Sequence, residues 1–175
     1  MAIDKIQSES INLADNFAFT GTVSGAGGTT APYFFASLSS NQSVSDSSYT
    51  KVQFNDEEID VGSCYDNSSN YRFTPNVAGK YYVFTHMTFF GNSNNSIAGM
   101  GVQIYKNGSR YINSDATAHD GSRWTRCQEF SAGIIDMNGS SDYVEGYVYV
   151  DQASPTVQGN SSQPLSYFGA FKMTE

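Results

Sequence analysis

The sequence predicts an all-β protein, an antiparallel sandwich of the jelly-roll kind, on three observations. From Tyr33 onward, apolar residues recur with the period of two that sends alternate side chains to opposite faces of a strand, and no stretch holds a helical period. The breaks between these runs carry turn chemistry: Asn107-Gly108, Asp120-Gly121 and Asn138-Gly139 are strong two-residue hairpin signals. Finally, 175 residues suit one domain with a single substantial core. Many short strands with turns at this spacing make a sandwich.

In chain order, residues 1–30 differ in kind from the rest. Ile3, Ile6, Ile11, Leu13, Phe17 and Phe19 are scattered through a polar background that closes on GTVSGAGGTT. The glycines read as a hinge, and six large apolar residues suit an arm that orders on a partner. They form no nucleotide loop, since neither GxGxxG nor Gly-Lys-Ser/Thr is present. Residues 31–175 read as the jelly-roll domain. Its predicted strands are Tyr33–Ser39, Thr50–Phe54, Asn70–Thr74, Lys80–Phe90, Met100–Lys106, Arg110–Asn113, Arg123–Ile135, Tyr143–Val150 and Leu165–Met173, with a polar loop at 92–96.

The segment after Gly79 organises the rest. Tyr81, Val83, Met87 and Phe89 load one face, while Tyr82, Phe84 and Phe90 load the other with almost as much aromatic surface. A lone sandwich hides one face of each sheet and wets the other. A strand apolar on both sides therefore predicts that its second face meets another subunit.

Composition narrows the function. Only 15% of residues are charged, 14% are aromatic, and the formal net charge is -8, which argues against binding a phosphate backbone. No basic segment leads into an apolar run at the N-terminus, and no apolar stretch is long enough to span a bilayer as a helix. Synthesis in a cytoplasm, with no membrane partner, is the expectation.

Chemistry is sparse. Cys64 and Cys127 lack metal-ligand spacing and any nucleophile signature, and read as buried thiols. His86 falls on the Tyr82 side of the long strand, where a hydrogen-bonded core or interface histidine is expected, and His119 reads as a solvated loop residue. Asp56-Glu-Glu-Ile-Asp60 offers carboxylates to a hard cation but lacks the calcium-loop spacing. No catalytic residue, cofactor site or metal site is expected.

The run Asn70-Tyr-Arg-Phe-Thr-Pro-Asn-Val-Ala-Gly-Lys-Tyr-Tyr-Val-Phe84 resembles the most distinctive motif of the globular domain of complement component one-q and its tumour-necrosis-factor-like relatives. Phe34-Phe-Ala-Ser-Leu38 resembles that family's opening strand, Asp136–Val144 its loop into the penultimate strands, and Tyr167-Phe-Gly-Ala-Phe171 its closing strand. The resemblance implies a ten-stranded jelly roll that trimerises about a three-fold axis through aromatic strand faces. The expected interface residues are Tyr82, Phe84, His86, Phe90, Tyr167, Phe168 and Phe171.

The leading segment from Asp4 to Gly25 resembles leaders of marine bacteriophage structural proteins. Together these point to a non-enzymatic virion protein: a trimeric surface knob docked through residues 1–30 to a capsid or tail protein, as a capsid decoration or cement protein. The alternative is a receptor-binding tail-fibre tip whose Ser/Asn/Tyr-rich loops grip host glycans.

Overall fold

The computed structural model describes residues 31–91, 96–119 and 122–173, which contain thirteen strands. In chain order these are β1 (Tyr33–Ser37), β2 (Gln42–Ser43), β3 (Thr50–Lys51), β4 (Asp56–Val61), β5 (Tyr65–Asp66), β6 (Arg72–Phe73), β7 (Gly79–Phe90), β8 (Gly99–Lys106), β9 (Ser109–Thr117), β10 (Arg126–Met137), β11 (Val144–Asp151), β12 (Thr156–Val157) and β13 (Tyr167–Lys172). All pairings between them are antiparallel.

Two sheets result. The first, of seven strands, is built on β7, with β10 along one edge and β13 and β12 along the other, continuing through β13 to β1 and β4. The second, of six strands, runs β5-β6-β11-β8-β9, with β3 also on β11. The expected antiparallel sandwich is therefore present, and every predicted strand appears with shifted ends. Asn70–Thr74 shrinks to β6 because Tyr71 turns the chain with φ 50°, just after the Asp66 carboxylate accepts the backbone N–H groups of Ser68, Ser69 and Asn70. Thr50–Phe54 keeps only β3 as strand, whereas β9 runs four residues past the predicted Asn113. The short strands β2, β5 and β12, and the charged β4, were not expected.

Of the turn signals, Asn107-Gly108 joins β8 to β9 with both φ angles positive (51° and 77°), the backbone of a type I′ hairpin. Asn138-Gly139 lies between β10 and β11, where the Asn138 side-chain carbonyl accepts the N–H groups of Ser140, Ser141 and Asp142. Asp120-Gly121 and the docking-arm residues Ile3, Ile6, Ile11, Leu13, Phe17 and Phe19 lie outside the described residues.

The inner faces meet in one core. Tyr81, Val83, Met87 and Phe89 of β7 are buried against Met100, Val102 and Ile104 of β8 and Val144, Val148 and Val150 of β11. At one end the core is aromatic. Phe34 stacks on Tyr65 at 4.4 Å and on Phe73 at 4.8 Å, and meets the Phe168 ring edge-on at 5.0 Å. The Tyr65 hydroxyl donates to the Phe54 carbonyl at 2.9 Å, which satisfies the polar tip of an otherwise apolar cluster.

Candidate self-association face

The second face of β7 points away from that core. Strand pairing turns its alternate residues into rows that run across the first sheet. Tyr82 lies between Phe171 of β13 and Ile134 of β10, with Tyr33 of β1 beyond Phe171. Phe84 lies between Gly169 and Ala132, with Phe35 and then Ile59 of β4 continuing the row. His86 lies between Tyr167 and Phe130. The rows interlock: ring centroids are 5.4 Å apart for Tyr82 and Phe171, 5.9 Å for Tyr82 and Phe84, and 5.3 Å for Phe35 and Tyr167.

The middle row depends on Gly169. A Cβ there would come within 2.5 Å of Phe84 Cζ, so the missing side chain is what lets the phenyl ring settle over the neighbouring strand. The face remains open to solvent in the single subunit, with Ile59, Phe130, Ile134 and Phe171 each 45 to 54% exposed. Contiguous exposed apolar surface makes the face a candidate interaction site.

His86 is the titratable group within it. Its Nδ1–H donates to the Leu165 carbonyl at 3.2 Å, and its ring stacks on Tyr167 with centroids 5.0 Å apart. Burial lowers its pKa from 6.5, opposed by the Leu165 hydrogen bond and by the Glu129 charge.

Five of the seven expected interface residues, Tyr82, Phe84, His86, Tyr167 and Phe171, share this face. Phe168 does not: it is 0% exposed and lies in the core against Phe34, Phe54 and Tyr65. Successive strand residues point to opposite sides, so Tyr167 and Phe168 cannot both face outward. Phe90 is also outward but sits at the far end of β7, where the Arg126 guanidinium lies 4.7 Å over its ring. The rows are completed by Tyr33, Phe35, Ile59, Phe130 and Ile134, which the sequence reading did not place on this face. The available signal was the alternation Phe130, Ala132, Ile134 within the predicted Arg123–Ile135 strand.

Cys64 donates its thiol to Asp60 Oδ1 at 3.0 Å, and burial, followed by this carboxylate, pushes its pKa far up. Cys127, half-buried, is pushed up to about 12 by burial and by Glu129. Both thiols are free, and their raised pKa values disfavour the thiolate at neutral pH. The acidic run is edge strand β4. Asp60 accepts from the N–H groups of Cys64 and Tyr65, while Glu57 and Glu58 are exposed charges of the kind that keep an edge from pairing with another sheet. Among the described residues, no group of three or more His, Cys, Asp or Glu could hold a metal ion. No helix among them is long and apolar enough to cross a membrane.

No protein-family model and no curated protein matches the chain. Solved structures do. A crystal structure of murine APRIL at pH 8.0 superposes with a TM-score of 0.60 at 13% identity, covering 82% of this chain and 100% of that one. A second murine APRIL structure, at pH 8.5, gives 0.58 at 14% identity with the same coverage. The Eiger TNF of S. frugiperda gives 0.58 at 12% identity, covering 83% and 92%. The fold is a tumour-necrosis-factor-like jelly roll.

Proposed function

We propose that the protein is a non-enzymatic structural component of a virion, a homotrimeric surface knob docked through residues 1–30 to a capsid or tail protein, and that it decorates or cements the capsid shell. The observation that carries the trimer is the aromatic exterior of the first sheet. Complete transfer of one large apolar side chain out of water contributes about 1.5–3 kcal/mol. Four side chains that are about half exposed, with the flanking rings, therefore contribute several kcal/mol per subunit. That is comparable with the lower part of the roughly 4–15 kcal/mol lost on association. A closed ring adds to the balance, because each subunit then makes two contacts. Three-fold closure is what the sequence resemblance implies, and the fold supports it.

The virion assignment rests on the leader, whose pattern resembles phage structural proteins and whose apolar residues suit an arm that folds on contact. Deleting residues 1–30 is expected to leave a folded trimer that no longer joins the particle. Imaging intact particles is the direct test. Many copies over the shell support a decoration protein, a few copies at the tail support the fibre-tip alternative, and absence from purified particles overturns the assignment.

A further inference from the structure

The outer face of the second sheet carries a trough that the association face does not use. Strand β8, between β11 and β9, turns Gly99, Gly101 and Gln103 outward, and all three are buried below their neighbours. Register places Asp151 of β11 beside Gly99, and sets Tyr149 of β11 and Asp115 of β9 on either side of Gly101. With strands about 4.8 Å apart, the walls stand about 10 Å from each other, and two glycines two residues apart leave about 7 Å of floor. The cavity holds about 310 Å³, at the lower end of the range for small-molecule sites.

The floor is open at Gly99, and at Gly101 it is formed by the Gln103 side chain, for which the missing Cβ leaves room. A Cβ there would lie 2.6 Å from Gln103 Nε2 and 3.2 Å from the Ser114 carbonyl oxygen. Glycine inside a strand marks a place where something approaches the backbone closely, and at Gly101 that group is the Gln103 amide, which lies over it. Gln103, 1% exposed, donates through Nε2 to Asn113 Oδ1 at 3.1 Å, while its Oε1 has no hydrogen-bond partner. The floor thus holds an unused acceptor. At the rim, Tyr49 and Tyr149 set their rings 5.4 Å apart, and Arg110 Nη1 donates to the Tyr49 hydroxyl at 2.8 Å.

Aromatic faces flanked by carboxylates and amides fit a ligand with apolar C–H faces and a rim of hydroxyls. One guanidinium against two carboxylates disfavours an anionic ligand. We propose that this trough binds a neutral sugar residue of a glycan or polysaccharide. Tyr149 stacks on the ring face beside Tyr49, whose own ring the Arg110 guanidinium overlies at 5.3 Å. Asp151 accepts hydroxyl protons, as does Asp115 beside the bond it accepts from Asn113 Nδ2, and Arg110 donates. The site is complete within one subunit and holds wherever the chain is mounted. If the trimer proposed above forms, it presents three troughs, and binding to a repetitive polymer gains avidity.

The test is to apply the full-length chain to an array of neutral and sulfated oligosaccharides, then titrate the best neutral binder by calorimetry. Tyr149→Ala and Asp151→Asn are each expected to weaken binding at least about tenfold, the scale of one lost ring contact or charge-assisted hydrogen bond. Tyr149→Phe is expected to retain it, and Gly101→Val to abolish it. Circular dichroism confirms the fold of each variant. Should Gly101→Val fail to fold, the Tyr149→Ala and Tyr149→Phe pair still decides. The proposal is overturned by a wild-type chain that binds no neutral glycan, by binding that survives both Tyr149→Ala and Asp151→Asn, or by preference for sulfated chains. A monomeric chain that binds the sugar upholds the trough and rejects the trimer.

Discussion

The two sheets bury similar inner faces and differ on their outer ones. Outside the first sheet the alternate positions are Phe35, Tyr82, Phe84, Tyr167 and Phe171. Outside the second they are Tyr149, Gly101, Gln103, Asn113 and Asp115, edged by the ion pairs Lys51–Glu145 at 2.9 Å and Lys106–Asp142 at 3.1 Å. One backbone design therefore serves two surfaces. The difference between them lies in the residues at the outward positions of each strand.

The contrast can be broken most forcefully at Phe84. Phe84→Glu places an unpaired carboxylate in the middle row of the association face, and once that face is covered the penalty is about 3–5 kcal/mol in each subunit. Sedimentation is expected to show the assembly reduced to folded single chains. Phe168→Ala, one position from an outward residue but inside the core, is expected to lower folding stability by about 3–5 kcal/mol through the cavity it leaves. Urea unfolding measures this, and the assembled mass should be unchanged under native conditions.

Acid gives a smaller and graded effect. Because burial holds the His86 pKa below 6.5, the unfolded chain binds a proton more readily than the folded one. Stability conferred by neutral His86 is then fully present above pH 6.5 and is lost as pH falls from 6.5 to the depressed native value. Unfolding midpoints and the assembled fraction should both decline over that window, and His86→Gln should flatten the decline. Smallest of all is Asp115→Asn on the second sheet, which should leave the mass unchanged and shift stability by no more than about 0.5 kcal/mol in a denaturant titration.

What the sequence revealed follows from what alternation can and cannot carry. The two-faced character of β7 was legible because Tyr81, Val83 and Met87 interleave with Tyr82, Phe84 and His86 over one long run. Phe168 was misplaced because Tyr167 and Phe168 are adjacent aromatics. Either could face inward, and the choice is made by pairing with β7, where Tyr167 meets His86 and Phe168 meets Thr85. Phe35 and Ile134 were missed for a related reason: they join the face only because β1 and β10, distant in the chain, are brought to either side of β13 and β7. The acidic run offered carboxylates without calcium-loop spacing, and its place on an edge strand was not legible because charge alone does not reveal which strand ends a sheet. Least legible was the trough, since Gly99 and Gly101 become a floor only when β9 and β11 rise on both sides of β8.

The mass of the full-length chain in dilute solution tests the central claim most directly. Sedimentation equilibrium should return three times the 19.1 kDa of one chain, with Phe84→Glu returning one. A wild-type protein that stays at 19.1 kDa would contradict the account, because the rings of the first sheet would then face water with nothing to cover them.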